Sequence, residues 1–189
     1  MNSKKICPMG VDLGSGYLRV VQLGQNEQGL FLQSASLKAN PKEAEFGSPA
    51  WQHWAADNVR DLVRGSDFRG KSVITAIPSD KLFIDPIRIP KNNLKQINEI
   101  LPQKLQKRLP FPIEKALFQH VIIGGNEQNG SDIVDILAIS ANREDVNRHL
   151  AIFEKAGLEV AGISIWPTAM VQSFKRFFCR RKNGSGIYK

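Results

Sequence analysis

The chain has 189 residues, 42% of them hydrophobic and 23% charged, which is enough for one domain or two small lobes and excludes global disorder. The formal net charge is +8, but residues 175–189 hold six basic and no acidic residues, so residues 1–174 carry only two excess positive charges. Because a nucleic-acid binder usually spreads its basic residues over a folded face, this distribution favours a solvated tail over a DNA- or RNA-binding arm.

The cysteines, the histidines and the N-terminal residues exclude several other classes of protein. Cys7 and Cys179 are far apart and the three histidines are scattered, so the sequence predicts neither a disulfide framework nor a zinc site. The apolar run that follows Lys4 and Lys5 stops at Asp12, which makes it too short for a signal peptide. No run approaches the ~20 apolar residues of a membrane helix. A reducing cytoplasm fits these features.

The first part of the chain is predicted to form four strands and one helix. The strands are expected at residues 6–13, 18–23, 30–37 and 72–77. Glycine-rich breaks separate the first three strands, which predicts an antiparallel meander. The helix is expected before the fourth strand, because Ser48 and Pro49 are typical of a helix start and Gly65 of a helix end. Trp51 and Trp54 are interpreted as core residues of this helix rather than as a ligand cage.

The rest of the chain is predicted to alternate strands and helices. Strands are expected at residues 82–89, 117–123, 133–140 and 158–165, and a Gly/Asn loop at 124–131. Pro110 and Pro112 predict an extended elbow before the second of these strands. Pro167 is predicted to open a final helix.

Two further helices are predicted between these strands. The first carries an apolar stripe formed by Leu94, Ile97, Leu101 and Leu105. We expect Asn92 or Asn93 to cap it and Pro102 to kink or restart it. The second helix is predicted to be capped by Asn142 and closed by Gly157.

The stretch MGVDLGSGYLRVVQLG, residues 9–24, places a Gly-Ser-Gly tip between the first two strands. Such a tip can aim successive backbone N–H groups at one phosphate, which can come close because Gly14 and Gly16 have no side chain. Ser15 could donate a hydroxyl, Asp12 could hold a water on a bound magnesium ion, and Arg19 would supply positive charge. The stretch matches neither a P-loop nor a dinucleotide fingerprint. A plain hairpin turn is the alternative, and this stretch alone leaves both interpretations open.

Two longer stretches carry a family resemblance together with this hairpin. They are RLPFPIEKALFQHVI at residues 108–122 and DILAISANREDVNRHLAIFEKAGLEVAGISIWPTAM at residues 135–170. With GVDLGSGYLRVVQL, they resemble the type IV pilus assembly protein PilM family, a group of cytoplasmic actin-like proteins. The segment WPTAM also resembles the segment that links the two lobes of actin-like ATPases. The resemblance extends from residue 9 to residue 174.

The resemblance implies an α/β fold of the ribonuclease-H-like, actin-like ATPase type, with an inserted α+β subdomain similar to that of FtsA. On this basis the first-lobe subdomain is expected at residues 1–78 and 160–178. The inserted subdomain is expected at residues 79–159, and a basic tail at residues 179–189.

The resemblance also implies a function and partners. Members of the family act as scaffolds of type IV pilus assembly at the inner face of the inner membrane, in support of natural transformation and twitching motility. They bind ATP with Mg²⁺ and dock the N-terminal peptide of the inner-membrane protein PilN. We therefore expect a PilN-like partner, peripheral membrane association through that partner, no nucleic acid, and self-association as an open alternative. For the docking site the resemblance indicates only the insertion, in which Ile89, Leu94 and Phe111 are interpreted as core residues.

The site residues follow from the resemblance by motif position. The first phosphate-binding loop matches Asp12, Gly14, Ser15, Gly16, Tyr17 and Arg19. Asp12 would contact Mg²⁺ through water, and Arg19 stands where the family more often has lysine. The linking motif matches Pro167 and Thr168. No catalytic residue is assigned.

Two departures from the family pattern argue against ATP hydrolysis and leave open whether the chain is an enzyme. Trp166 stands where related ATPases carry an acid, and an indole can orient neither water nor magnesium. A complete member would also continue into a second lobe with another phosphate loop and an adenosine pocket, so we expect nucleotide binding that is weak or lost. The alternatives are a fragment of an actin-fold kinase and an adaptor that binds no nucleotide.

Overall fold

The structure of the protein, a computed structural model, describes residues 5–128 and 131–178. In chain order the helices and strands are β1 (Lys5–Leu13), β2 (Tyr17–Asn26), β3 (Gly29–Ala39), α1 (Pro49–Arg64), β4 (Ser72–Ile77), β5 (Leu82–Pro90), α2 (Ile97–Leu105), β6 (Ala116–Gln128), β7 (Ser131–Asn142), α3 (Arg143–Ala156), β8 (Glu159–Ile165) and α4 (Trp166–Phe178). Short 3-10 helices occupy Ser79–Lys81, Lys91–Gln96 and Ile113–Lys115. The chain divides into two compact units, one holding the residues up to Ser79 and from His149 onward, the other Asp80–Arg148.

The first unit is built on a five-stranded sheet with the strand order β3-β2-β1-β4-β8. β1, β2 and β3 pair antiparallel, whereas β4 pairs parallel with β1 and β8 parallel with β4. The predicted meander is therefore confirmed. In its first hairpin Asp12 lies opposite Arg19 and Leu13 opposite Leu18, which places the Gly-Ser-Gly tip directly beyond the last pair.

The core of the first unit lies on one face of this sheet. Strand alternation buries one side of β1 and β2, formed by Met9, Val11, Leu13, Leu18 and Val20. α1 packs on this side through Trp51, Ala55 and Val59. The start of α1 is as predicted, since the Trp51 N–H donates to the Ser48 hydroxyl oxygen at 3.2 Å and Pro49 is the first helical residue.

The second unit holds a three-stranded antiparallel sheet in the order β5-β7-β6, covered on one face by α2. Its buried core contains Ile87, Ile89, Ile97, Leu101, Leu105, Val134, Ile136 and Ala138. Ile89 is therefore a core residue, as predicted, and Leu94 packs on the same core. Phe111 makes an edge-to-face contact with Phe83, with the ring centroids 5.4 Å apart.

The Gly/Asn loop predicted at residues 124–131 of the second unit is wrong. β6 extends to Gln128 and β7 begins at Ser131, so most of these residues are strand, with Gly124 opposite Asp135. A bulge between Ile122 and Gly124 shifts the register and lets the ladder continue through the glycines.

The start of α2 also differs from the prediction. Neither Asn92 nor Asn93 caps the helix, because both lie in the 3-10 helix that precedes it. Gln96 occupies the capping position and makes no side-chain capping hydrogen bond. Pro102 lies inside α2, where it lacks the N–H that would donate to the Asn98 carbonyl. The kink at Pro102 stays a prediction.

α3 has the predicted caps and crosses the division between the units. The Glu144 N–H donates to the Asn142 side-chain oxygen at 2.9 Å. Gly157, with φ +76°, ends the helix while the Leu158 N–H donates to the Phe153 carbonyl at 2.9 Å. The sequence places residues 149–159 in the insertion, but Ile152, Phe153, Ala156 and Leu158 are buried in the core of the first unit. The second half of α3 therefore belongs to the first unit, and the predicted tail at 179–189 lies outside the described residues.

Candidate functional site

The tip of the β1–β2 hairpin brings the predicted phosphate-binding residues together. Residues 14–16 connect the strands, and the Gly14 N–H donates to the Tyr17 carbonyl at 3.1 Å, which closes the turn. Ser15, Gly16 and Tyr17 are exposed. The tip is thus tight and accessible from solvent.

Asp12 and Arg19 form an ion pair beside this tip. The Arg19 Nη1 lies 2.8 Å from the Asp12 Oδ2, and the two side chains are 50% and 46% exposed. The Arg19 guanidinium carbon also lies 5.3 Å from the centroid of the Tyr17 ring. The predicted magnesium contact and the predicted phosphate cation therefore neutralise one another. Because an exposed ion pair contributes less than about 1 kcal/mol, either side chain can turn towards a ligand at small cost.

The two glycines of the tip have different roles. A Cβ on Gly14 would lie 3.1 Å from the Tyr17 carbonyl oxygen and 3.4 Å from the Arg19 Nη1, so a larger residue there would push its neighbours apart slightly. A Cβ on Gly16 would meet no atom within 4 Å, so this residue leaves open space at the tip. Neither glycine has a positive φ. The backbone of the tip therefore does not depend on left-handed glycine, and only Gly14 is closely surrounded.

Asn40, the residue directly after β3, makes three hydrogen bonds to the tip. Its side-chain nitrogen Nδ2 donates to the carbonyl oxygens of Gly14 and Ser15, both at 2.9 Å. Its backbone N–H donates to the Gly16 carbonyl at 3.0 Å. An asparagine directly after a strand is an ordinary turn residue, so the sequence offered no signal that distinguished it.

The residues of the tip fit a phosphate group. No described hydrogen bond uses the N–H groups of Ser15 and Gly16, the Ser15 side chain is exposed, and the space beside Gly16 is open. A phosphate oxygen accepts hydrogen bonds from such N–H groups. One carboxylate, Asp12, lies beside the tip, which suits Mg²⁺ because this ion keeps several waters and takes few protein ligands. Among the described residues no group of three or more His, Cys, Asp or Glu side chains could hold a metal ion.

The linking motif is not joined to this hairpin by any hydrogen bond or ion pair of the described residues. Pro167 and Thr168 lie in the first turn of α4, and both are exposed. Trp166, the first residue of α4, is 54% exposed, and Met170 and Val171 on the same helix are exposed to a similar degree. The role of Pro167 and Thr168 as the linking motif therefore stays a prediction.

A buried polar pair, which the sequence analysis did not identify, lies in the core of the first unit. His149 Nε2 and the Thr75 hydroxyl are 2.9 Å apart, and the imidazole meets the Phe153 ring edge to face. Burial lowers the pKa of His149 from 6.5 to about 4, so the ring is neutral at physiological pH. This pair links β4 to α3 and lies in the packed interior rather than at the hairpin tip.

The second unit carries a shallow groove of about 470 Å³. Its lining residues are Pro86, Ile87, Arg88, Ile123 and Asp135. The Arg88 Nε donates to the Asp135 Oδ1 at 2.8 Å, so an ion pair borders an otherwise apolar floor. Next to it on β6, Val121, Ile122 and Ile123 are each more than half exposed.

Comparison with known proteins places this chain in a family. Residues 10–181 match the family described as type IV pilus assembly protein PilM. The solved PilM-PilN type IV pilus biogenesis complex contains a chain that matches 89% of this protein with a TM-score of 0.77 and 22% identity. The match covers 50% of that chain, so this protein spans half of its length. No curated protein matches.

Two other solved structures are similar at 15% identity. The cytoplasmic domain of EpsL, an inner-membrane component of the type II secretion system of Vibrio cholerae, has a TM-score of 0.48, and the match covers 85% of this chain and 57% of the chain of that domain. The ethanolamine utilization protein EutJ from Carboxydothermus hydrogenoformans has a TM-score of 0.42, with coverage of 91% and 40%.

The match to a chain of the PilM-PilN complex confirms the actin-like fold predicted from the sequence. None of the described helices is long and apolar enough to cross a bilayer. With more than half of its residues matched by the family model, this chain belongs to the type IV pilus assembly protein PilM family.

Proposed function

We propose that this chain is a cytoplasmic scaffold of type IV pilus assembly, held at the inner face of the inner membrane by a partner that resembles PilN. The observation that carries the proposal is the fold match, at a TM-score of 0.77, to a chain of the PilM-PilN complex. The family match over residues 10–181 supports it independently. The partner would supply the membrane attachment, and its N-terminal peptide would dock on the scaffold.

Docking can be tested with a synthetic peptide. The N-terminal peptide of the PilN-like protein encoded in the same organism would be labelled and titrated with the purified chain. A scrambled peptide of the same composition is the control. A saturable complex with the native peptide alone supports the scaffold function, and equal binding of both peptides, or of neither, contradicts it.

We also propose that the hairpin binds the phosphates of ATP, with Asp12 contacting Mg²⁺ through water and Arg19 turning from Asp12 towards a phosphate oxygen. The accessible N–H groups of Ser15 and Gly16 and the space beside Gly16 support this role. Bound magnesium would neutralise phosphate charge. Calorimetry with Mg-ATP, with Asp12→Ala as the comparison, tests this proposal. The absence of any heat of binding in the wild-type chain would instead favour an adaptor that binds no nucleotide.

A further inference from the structure

We propose that Asn40 is the positioning residue of the phosphate site: by holding three successive carbonyl groups of the hairpin tip on one side, it turns the intervening N–H groups to the other side, towards an anion. This inference rests on the proposed phosphate binding by the hairpin. It adds a residue that lies outside the Gly-Ser-Gly stretch and after β3.

The three hydrogen bonds fix the direction of the peptide groups. Asn40 Nδ2 lies 2.9 Å from the carbonyl oxygens of both Gly14 and Ser15, and the Asn40 N–H donates to the Gly16 carbonyl at 3.0 Å. No peptide bond of the described residues is cis, and in a trans peptide the C=O and N–H groups point in opposite directions. The N–H of Ser15 shares a peptide with the Gly14 carbonyl, and the N–H of Gly16 with that of Ser15. Both N–H groups therefore point away from Asn40.

The side-chain chemistry explains why asparagine stands at this position. The carbonyl oxygens of Gly14 and Ser15 both accept from this side chain, and the amide nitrogen provides two N–H groups at a single atom. The same contacts fix the orientation of the amide, because a side-chain oxygen in that place would face two carbonyl oxygens. The Oδ1 atom of Asn40 is buried and has no hydrogen-bond partner among the described residues.

The side of the tip opposite Asn40 is free to receive an anion. Gly16 has open space around the position of a Cβ, and Ser15 is exposed. Arg19 Nη1 would lie 3.4 Å from a Cβ on Gly14, which places a cation at the edge of the same tip. The tip therefore offers two N–H groups, the Ser15 hydroxyl and the Arg19 guanidinium as hydrogen-bond donors. Such donors match the oxygens of a phosphate group in a polyphosphate or nucleotide.

The experiment records the backbone amide resonances of Ser15 and Gly16 by NMR while inorganic triphosphate, and separately Mg-ATP, is added. It compares the wild-type chain with Asn40→Leu, which has a similar shape, no donors and no added charge. Asn40→Ala is the second variant in case leucine disturbs the hairpin. The control is Asn26→Leu, at the turn of the β2–β3 hairpin, where the asparagine Oδ1 accepts the Gln28 N–H at 3.0 Å. Dispersion of the other amide resonances shows whether each variant is folded.

We expect both amide resonances to shift on addition of triphosphate in the wild-type chain and in Asn26→Leu, and the affinity of folded Asn40 variants to fall at least tenfold. Equal titration curves for the wild-type chain and the Asn40 variants would overturn the inference, and so would a wild-type chain whose Ser15 and Gly16 resonances do not respond to either ligand. Binding of the PilN-like peptide, measured on the same samples, separates these outcomes from failure of the scaffold function. Equal effects of triphosphate and Mg-ATP would show that the phosphates alone are recognised.

Discussion

Arg19 and Asp12 face one another across the β1–β2 ladder with 2.8 Å between the Arg19 Nη1 and the Asp12 Oδ2, and both are about half exposed. The pair places a charge of each sign beside the tip of the hairpin. The Arg19 guanidinium attracts a phosphate and the Asp12 carboxylate repels it. When magnesium is bound, the carboxylate instead attracts the metal that the phosphate carries. Removing the charge of Asp12 should therefore change phosphate binding in opposite directions with and without magnesium.

Asp12→Asn removes one negative charge and nearly preserves the shape of the side chain. Without magnesium we expect it to strengthen triphosphate binding, because the carboxylate repels the phosphate and occupies Arg19. With magnesium we expect weaker Mg-ATP binding, because a carboxylate is a better partner for a hydrated Mg²⁺ than an amide. Calorimetry with and without magnesium measures both signs. The same sign under both conditions would contradict a magnesium contact by Asp12.

Replacing Gly14 or Gly16 by alanine should separate fold from binding. A methyl group on Gly14 would lie 3.1 Å from the Tyr17 carbonyl oxygen, so we expect Gly14→Ala to lower the free energy of unfolding by about 1 kcal/mol. A methyl group on Gly16 meets no atom within 4 Å, so Gly16→Ala should change stability little and weaken triphosphate binding by occupying the open space. Urea unfolding and titration of each variant test this. Unchanged affinity in folded Gly16→Ala would place the anion elsewhere.

The buried His149 should make stability depend on pH. Burial lowers its pKa from 6.5 to about 4, so below pH 6.5 the unfolded chain binds a proton that the folded chain rejects. The stabilisation is complete above pH 6.5 and is lost as the pH falls towards 4, with a loss of about 2 kcal/mol at pH 5. His149→Gln removes this titration. The difference between the urea stabilities of the two proteins should therefore change between pH 8 and pH 5, and a constant difference would show that His149 does not contribute in this way.

The exposed apolar residues of β6 test whether the second unit takes part in docking. Ile122 is 56% exposed, so Ile122→Thr should leave the unit folded and, if the peptide contacts β6, weaken peptide binding severalfold. Val21→Thr, on the exposed face of β2, is the matched control at 40% exposure. Fluorescence anisotropy with the labelled peptide measures both. If the two variants bind equally well, the peptide docks away from β6.

The sequence predicted most of the fold because its signals are local. The caps of α1 and α3 depend on Ser48 and Asn142, whose side chains act within three residues of themselves. The predictions failed where distant contacts decide the structure. The Gly/Asn segment of β6 looks like a loop, but pairing with β7 keeps Gly124 in a strand. The helical stripe from Leu94 predicts one helix, yet its first turn is a 3-10 helix.

The candidate site shows the same division between local and distant contacts. The Gly-Ser-Gly tip and its neighbours could be predicted from the sequence, because the turn residues and the family motif are both formed by consecutive residues. Asn40 could not, because its contact with Gly14 crosses 26 positions and depends on the pairing of β2 with β3. The pairing of Arg19 with Asp12 likewise follows from the register of β1 and β2, and neither composition nor residue spacing predicts that register.

We propose that this member of the PilM family is a scaffold for a PilN-like partner. The most direct measurement is isothermal titration calorimetry of the purified chain with the N-terminal peptide of the PilN-like protein from the same organism, with the scrambled peptide as the control. We expect a saturable complex with the native peptide alone. No heat of binding with the native peptide, from a chain shown to be folded, would contradict it.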